Sequence, residues 1–314
     1  MDSQLEAAQT CPTEVRVADV LVTGSCGFLG SVLARRLGQR CTPCDVKIGI
    51  PAAKYFDPRS LEGVEVVVNC AAVQLFTPGF NLYRYSSFQE TNVNMPLRLA
   101  EAARKAGVRK FIHISTDMVY GLPRGRPFQE DDELQPVGLY GRSKKDAEAA
   151  LRGMTGFDVL TIFRPRVIGG PGRGGLFQLL ARLAKKRLPI PLFGKGHNLY
   201  QMIHVEDFTT LILEAIQENR PGTFNAGNTK ITTLREKVLV AARCCGNCKP
   251  WLVPIPNGLA TAGCRCLYGC HLGRLHPEQY LTAARDFTLD MTRTLATFRW
   301  RPERGDDDVI ADSF

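Results

Sequence analysis

Val20-Leu21-Val22-Thr23-Gly24-Ser25-Cys26-Gly27-Phe28-Leu29-Gly30 decides the fold. A short apolar run ends at Thr23, three glycines follow at positions 24, 27 and 30, and Phe28 opens a segment with helical periodicity to Leu37. A tight strand-to-helix turn aims unpaired backbone N–H groups and the positive helix end at a pyrophosphate, and the missing Cβ atoms let the phosphates approach. Twenty-one residues beyond Gly24, Asp45 falls at the end of the next predicted strand, Thr42–Val46, where a carboxylate accepts hydrogen bonds from adenosine ribose hydroxyls and repels a 2′-phosphate. Lys47 partly offsets that repulsion, and the balance favours NAD over NADP. Asp57 is read either as an adenine contact or as a loop cap.

Outward from this turn the chain alternates. Strands are predicted at Asp19–Thr23, Thr42–Val46, Val64–Ala72, Lys110–Ser115 and Asp158–Phe163, and helices at Phe28–Leu37, Pro96–Ala106 and Tyr140–Met154. Such alternation predicts an α/β fold, a doubly wound parallel Rossmann sheet with crossover helices. From Arg164 to Gly175 the composition turns rich in Gly and Pro, and a smaller C-terminal α/β substrate lobe is expected over 166–314. Within it the sequence predicts a helix at Leu176–Lys186, a strand-like piece at Leu199–Val205, a helix at Phe208–Glu218 and the turn-bounded Gly222–Gly227. The chain is expected to re-enter the first domain, 18–165, at about 199–228, and residues 1–17 read as a disordered lead-in.

Composition narrows the function classes. The chain has 314 residues, 44% hydrophobic and 23% charged, which is the balance of a folded globular protein and excludes a disordered or fibrous one. Val64–Phe76, broken by Glu65, Asn69 and Gln74, falls short of the ~18 apolar residues of a membrane span, and Met1–Glu6 lacks the basic and apolar regions of a secretory signal. The cytoplasm is the expected compartment, and the eleven cysteines read as reduced thiols. Forty Lys and Arg against 31 Asp and Glu give +9, which attracts anionic small molecules, nucleic acid or acidic lipid and alone selects none of them; dispersed without an aromatic-interleaved stripe, the charge argues against nucleic-acid binding. The cysteines and histidines of 244–276 have irregular spacing and read as buried thiols on helix faces rather than as a metal site. Cys41-Thr42-Pro43-Cys44 runs into a strand rather than opening a helix and is not read as redox-active. His204 is read as a packed residue.

Tyr140 and Lys144 stand four residues apart on one face of a predicted helix. A phenol is a poor base at neutral pH unless nearby positive charge favours the phenolate. His113-Ile114-Ser115-Thr116-Asp117-Met118-Val119-Tyr120-Gly121 leaves a strand and delivers the Thr116 hydroxyl to the carboxyl end of the sheet, where open α/β folds bind ligands.

With these residues in view, the sequence resembles the extended short-chain dehydrogenase/reductase family, the NAD-dependent epimerase/dehydratase group. The likeness runs over about 18–300 through the glycine turn, Asn69-Cys70-Ala71-Ala72, Thr91-Asn92-Val93, Ser115–Gly121, the Tyr140/Lys144 pair, Arg164-Pro165, Gly170-Pro171-Gly172 and Ile203–Asp207. It implies a Rossmann domain carrying NAD, often a homodimer, and an enzyme in which Tyr140 is the base, Lys144 lowers its pKa and holds the nicotinamide ribose, and Thr116 is the hydroxyl partner. It also implies cofactor contacts at Gly24, Cys26, Gly27, Phe28, Leu29, Gly30, Asp45, Asp57, Ala71, Ala72, Asn92, Ser115, Tyr140, Lys144 and Pro165. The family's dehydratases carry a Glu after the Thr-Asp pair; Met118 stands here, which argues against dehydration. Members acting on nucleotide-linked sugars commonly carry an Asn and an Arg where this chain holds Val167 and Tyr200. Gly194–Leu199 is similar to the sterol-dehydrogenase branch, so a hydroxysteroid-like or other alicyclic alcohol stands beside a sugar or nucleotide-sugar substrate. A non-catalytic NAD-binding regulator is disfavoured by the presence of Tyr140, Lys144 and Thr116 together.

Overall fold

The computed structural model describes residues 19–75, 77, 79, 81–173, 176–246, 249–271 and 275–314. The expected lead-in, 1–17, lies outside the described residues. In chain order the elements are β1 (Val20–Thr23), α1 (Phe28–Leu37), β2 (Cys41–Cys44), β3 (Val66–Asn69), α2 (Ser86–Gln89), α3 (Met95–Lys105), β4 (Lys110–Ile114), α4 (Leu139–Arg152), β5 (Val159–Pro165) and β6 (Val167–Gly169). They continue with α5 (Leu176–Lys185), β7 (Ile190–Phe193), β8 (Met202–His204), α6 (Val205–Gln217), β9 (Gly222–Ala226), α7 (Leu234–Cys244), β10 (Leu252–Ile255), α8 (Asn257–Gly269), α9 (Pro277–Tyr280), α10 (Thr292–Thr297) and α11 (Asp306–Ala311).

Six strands form one sheet in the order β2-β1-β3-β4-β5-β9, with every pairing parallel. All residues of β1, β3 and β4 are buried, as a sheet covered on both faces requires, which is why these strands read as unbroken apolar runs. Val20, Val22, Val66 and Val68 turn to one face, against Leu29 and Leu33 of α1 and Phe208, Leu211 and Ile212 of α6. Leu21, Val67 and Phe111 turn to the other, against Leu99, Ala100 and Ala103 of α3 and Leu151 of α4. The strand order reverses at β1, so the loops after β1 and β3 diverge from a common crevice, the place where doubly wound sheets bind ligands.

A second core gathers Phe177, Leu180 and Ala181 of α5, Ile190 and Leu192 of β7, Val238 and Ala241 of α7 and Val309 and Ile310 of α11, beside the parallel pairs β7–β10 and β6–β8. Between these pieces the chain crosses back to the large sheet, first through α6 and β9 and again through Phe287, Leu289, Phe298 and Trp300. The second crossing alternates, Phe287-Thr288-Leu289-Asp290-Met291, with the three apolar side chains buried and isolated parallel bridges from Phe287 to Tyr200 and from Leu289 to Phe128. No helix among the described residues is long and apolar enough to cross a membrane.

Element boundaries differ from expectation where side chains intervene. Expected at Thr42–Val46, β2 ends at Cys44 because Asp45 accepts from the Lys47 amide at 2.9 Å and turns the chain. The helix expected from Pro96 begins ten residues earlier, at Ser86, and passes through a widened π-turn over Glu90–Asn94. Pro96 has no N–H to offer the turn before it, which favours that widening.

Beneath the sheet's carboxyl edge lies a dry charge cluster. Arg164 Nε and Nη2 donate to both oxygens of Glu148 (2.7–3.2 Å), while Nη1 donates to the Tyr120 hydroxyl (3.0 Å) and the Glu130 carbonyl (2.9 Å), with Arg164 1% and Glu148 0% exposed. Removing Arg164 leaves the buried Glu148 carboxylate with only the half-exposed Arg152, at 2.8 Å, as a cation partner. Arg164→Ala is therefore expected to lower unfolding free energy by about 3–5 kcal/mol, read from urea midpoints against wild type; an unchanged midpoint overturns the structural role.

Candidate active site

The glycine turn is built by close approach. Gly24 has φ +68°, and a Cβ there would lie 2.8 Å from the Ala71 nitrogen, so the loops after β1 and β3 can touch only if residue 24 has no side chain. A Cβ at Gly30 would fall 2.1 Å from the Gly24 carbonyl oxygen, which locks α1 against the turn. Gly27, the N-cap of α1, supplies no side-chain cap, so the first-turn amides face the crevice uncapped. The Ser25 hydroxyl is buried there without a partner among the described residues. An anion with several oxygens, such as a pyrophosphate, satisfies this donor set, so these residues fit a dinucleotide.

Asp45 reaches the same turn: its Oδ2 accepts from the Cys26 amide at 3.0 Å, joining the end of β2 to the glycine loop. Asp57 is exposed, accepts from the Arg59 amide at 3.0 Å and forms an ion pair with the Arg59 side chain at 2.6 Å, the geometry of the loop cap. Asn92, expected at the cofactor, instead uses its amide internally: Oδ1 accepts from the Val73 amide (2.8 Å), and Nδ2 donates to the Val73 carbonyl and the Ser143 hydroxyl, both at 3.0 Å. It clamps the loop after β3 to α4. Ser115 donates to Glu148 in the charge cluster rather than facing the crevice. Pro165 closes β5 in register with Ala226, and Ala71 and Ala72 are half-buried where the loops after β1 and β3 meet. Phe28 and Leu29 begin α1, with the Arg173 guanidinium 4.9 Å above the Phe28 ring.

Strand β4 ends at Ile114, and Thr116 caps the turn after it, accepting from the Met118 amide (3.3 Å) and donating to Asp117 Oδ1 (3.1 Å). Tyr140 and Lys144 face it from the buried side of α4, 9% and 2% exposed. Burial drives the Tyr140 phenol above its ordinary range; the Thr116 hydroxyl beside it draws it down, the charges of Asp117 and Glu278 push it up, and the Arg173 cation draws it down. Lys144 Nζ donates to the Ile114 carbonyl at 2.8 Å, and burial lowers its pKa to about 8, opposed by Cys70 and Glu148. Met118 packs with Val73, Leu75, Phe88 and Tyr140, an apolar wall on this side of the phenol.

Two arginines of this site escaped the sequence reading. Arg166 Nη1 donates to Asp117 Oδ2 at 2.6 Å, with its guanidinium 4.2 Å from the Phe287 ring centroid and 4.8 Å from that of Tyr200. Burial pushes Asp117 up, against the pull of Arg166 and Thr116. Arg173 forms no ion pair among the described residues, and its contact with Gln74 Oε1 is long, at 3.4 Å. Its placement in Gly170-Pro171-Gly172-Arg173-Gly174-Gly175, a lone charge in a glycine stretch, was the available signal.

The cysteines of 244–276 are not the buried thiols expected: Cys244, Cys266 and Cys270 are exposed, and Cys245 and Cys264 are half-buried. Burial pushes Cys41 to about 11 and Cys44 to about 12, leaving protonated thiols. Among the described residues no three His, Cys, Asp or Glu side chains gather as metal ligands, and Cys248 lies outside the described residues. His204 is buried and caps α6, its Nδ1 accepting from the Glu206 amide at 3.1 Å.

The model of the NAD-dependent epimerase/dehydratase family matches residues 20–227. A UDP-glucose 4-epimerase of Vibrio cholerae is 28% identical over 309 residues, covering 90% of this chain and 90% of that protein. A dTDP-glucose 4,6-dehydratase of Streptomyces griseus is 29% identical over 259 residues, covering 70% of this chain and 76% of the other. Among solved structures, a UDP-glucuronic acid 4-epimerase from Bacillus cereus in complex with NAD superposes with a TM-score of 0.73 at 19% identity, covering 94% of each chain, a likeness of fold.

The buried lysine sets a pH test. Below about pH 8 Lys144 is charged both folded and unfolded, and the cost of burying that charge is complete. Between about pH 8 and the unfolded value of 10.5 the unfolded chain binds more protons, so stability rises with pH through that window. The wild-type stability, minus that of Lys144→Met, is expected to rise by on the order of 3 kcal/mol from pH 7.5 to 10. Denaturant titrations at the two pH values measure it, and a flat difference contradicts the buried ammonium.

Proposed function

This chain belongs to the NAD-dependent epimerase/dehydratase family, and from that premise we propose that it oxidises a secondary alcohol of a nucleotide-linked sugar and inverts the carbon that bears it. The observation that carries the reading is the convergence of Thr116, Tyr140 and Lys144, from two different elements, on the carboxyl edge of the sheet beside a glycine turn shaped for a pyrophosphate. The glycine turn and Ser25 would hold the pyrophosphate of NAD, Asp45 its adenosine ribose and Lys144 its nicotinamide ribose. NAD, when bound, supplies the two-electron acceptor for the hydride that leaves the carbinol carbon.

The chain's own part is the proton. Tyr140 takes it from the substrate hydroxyl and returns it when the carbonyl is reduced, so acid and base are one group. Thr116 hydrogen-bonds the same oxygen and orients the substrate hydroxyl. The phenol begins above its ordinary range because it is buried, so catalysis depends on cations near it: the charge of Arg173 already draws it down, and the Lys144 ammonium lies one helical turn away. Asp117 is tied to Arg166 on one oxygen and to Thr116 on the other, which fixes the Thr116 hydroxyl. Met118 has no proton to exchange, so a step that removes water from the sugar has no base at that position.

For the substrate, Arg173 supports an anion: a cation at the crevice mouth with no carboxylate partner among the described residues suits the diphosphate of a nucleotide sugar or a sugar carboxylate. A Vibrio cholerae relative named for UDP-glucose 4-epimerisation supports the same class. A second reading, an alicyclic alcohol dehydrogenase, is favoured by Val167 and by the half-buried Tyr200 packed on Phe177, which put apolar surface where nucleotide-sugar enzymes commonly place Asn and Arg.

Protein purified with its cofactor and incubated with UDP-glucose or UDP-glucuronic acid is expected to yield the 4-epimer by NMR without net NADH. Net NADH with a hydroxysteroid, and no epimer, establishes the second reading in its place. Tyr140→Phe is expected to lower kcat about a thousandfold while NAD content, measured by mass after release, stays at the wild-type level. Arg173→Met is expected to raise KM for the nucleotide sugar about tenfold or more, the loss of one charge-assisted contact.

A further inference from the structure

Helix α4, which carries Tyr140 and Lys144, starts without a cap of its own. Its N-cap is Gly138, in extended backbone with φ −143° and ψ 179°, and no side-chain cap forms from that position. Helix starts ordinarily have a Ser, Thr, Asp or Asn side chain that accepts from the second or third amide of the first turn. Here those amides belong to Tyr140 and Gly141: the Gly141 amide donates to Glu278 Oε1 at 2.8 Å, and the Tyr140 amide favours the charged form of the same carboxylate. The acceptor comes from 137 residues further along the chain, on α9.

The fit is mutual. A Cβ on Gly138 would lie 2.3 Å from the Glu278 carboxyl carbon and 2.5 and 2.6 Å from its two oxygens, so the carboxylate occupies the space that a capping side chain at 138 would need. Glu278 is 1% exposed and forms no ion pair among the described residues. A buried carboxylate without a cation is costly, and this one is offset by the Gly141 amide and the positive end of a fourteen-residue helix. Its own segment is anchored: the His276 amide donates to Gln279 Oε1 at 3.0 Å, the Thr282 hydroxyl to the Glu278 carbonyl at 2.6 Å, and the His276 ring packs on Tyr268 and Tyr83. Glu278 lies beyond the 20–227 span matched by the family model, so no motif reading reaches it.

We propose that Glu278 is a positioning residue for the reaction at Tyr140: its carboxylate takes the place of the missing N-cap side chain of α4 and fixes the backbone that carries the phenol. The inference rests on the reading of Tyr140 as the base. Because the donor is the Gly141 amide, next in the chain to Tyr140, the contact fixes the turn that carries the phenol and joins the segment after α8 to it. It also has an electrostatic side. The Glu278 charge pushes the Tyr140 phenol up, and burial lifts Glu278 itself to about 7; its other titratable neighbours are Tyr268, which its charge also pushes up, and His276, which burial pushes down. The residue therefore holds the base in place while opposing its ionisation.

The test compares Glu278→Gln, which keeps a carbonyl acceptor without the charge, with Glu278→Ala, both in the full chain. Amide hydrogen exchange over residues 138–144, which needs no substrate, is expected to accelerate about tenfold or more in Glu278→Ala and to stay within about threefold of wild type in Glu278→Gln. With the substrate that the wild type turns over, Glu278→Ala is expected to lose about tenfold or more in kcat at nearly constant KM. Glu278→Gln is expected to keep most of kcat and to move the acid limb of the pH profile to lower pH, as loss of a charge that raises the phenol's pKa requires. Unchanged exchange in Glu278→Ala, or an unmoved acid limb with equal loss in both variants, overturns the proposal. Should Glu278→Ala not fold, the Glu278→Gln exchange and pH profile decide alone. Absence of wild-type turnover on every nucleotide sugar counts against the proposed function, and the exchange data then still decide whether Glu278 caps α4.

Discussion

One hydrogen bond, from the buried Lys144 ammonium to the carbonyl of Ile114 at 2.8 Å, ties the helix that bears the phenol to the strand end that bears the hydroxyl. Burying an ammonium lowers its pKa and destabilises the fold, so this tie is held against the preference of the side chain for water. What it achieves is registration. Thr116 lies two residues beyond Ile114 and Tyr140 one turn before Lys144, so a single contact fixes the distance between the two groups that we propose share one substrate oxygen. Asn92 reinforces it from the side by joining Val73 to Ser143, the residue before Lys144. Glu278 reinforces it from above by holding the first turn of the same helix.

Below that helix the chain keeps two arginine–carboxylate pairs nearly free of water, Arg164 with Glu148 and Arg166 with Asp117. Both arginines come from the end of β5 and the residue that follows it, and both carboxylates come from elements that frame the site. Their strength lies in geometry rather than net stabilisation, since a buried ion pair roughly repays its own desolvation. Arg166 fixes Asp117, which orients the Thr116 hydroxyl, while Arg164 fixes Glu148 two turns into α4 and receives Ser115 at the same carboxylate. The electrostatic frame is thus laid from the sheet outward, and Arg173 adds a cation from the far side of the crevice.

Much of this was legible in the chain itself. The glycine spacing, the buried valine strands and the Tyr140/Lys144 interval are local patterns, set by backbone approach and by helical and strand periodicity, and the observed β1, α1, β3 to β5 and α4 lie where those patterns put them within a few residues. The family of the chain was legible for the same reason. Asn92 and Ser115 were harder: a polar residue in a motif is equally suited to a ligand and to an internal clamp, and only the partners at hand distinguish the two. Arg166 and Glu278 carried no signal, because each acts across a sequence gap of 49 or 137 residues on a group that no periodicity links to it.

The sequence by itself therefore determined the parallel sheet, the phosphate-shaped turn after β1 and the pairing of a phenol with a lysine on one helix face, since each follows from spacing over a few residues. Tertiary structure decided what surrounds that phenol: which cation faces it, which carboxylate orients its hydroxyl partner, and what caps the helix that presents it. Those are contacts between residues far apart in the chain, and their energies depend on burial, which exists only once the sheet and the lobe have packed together.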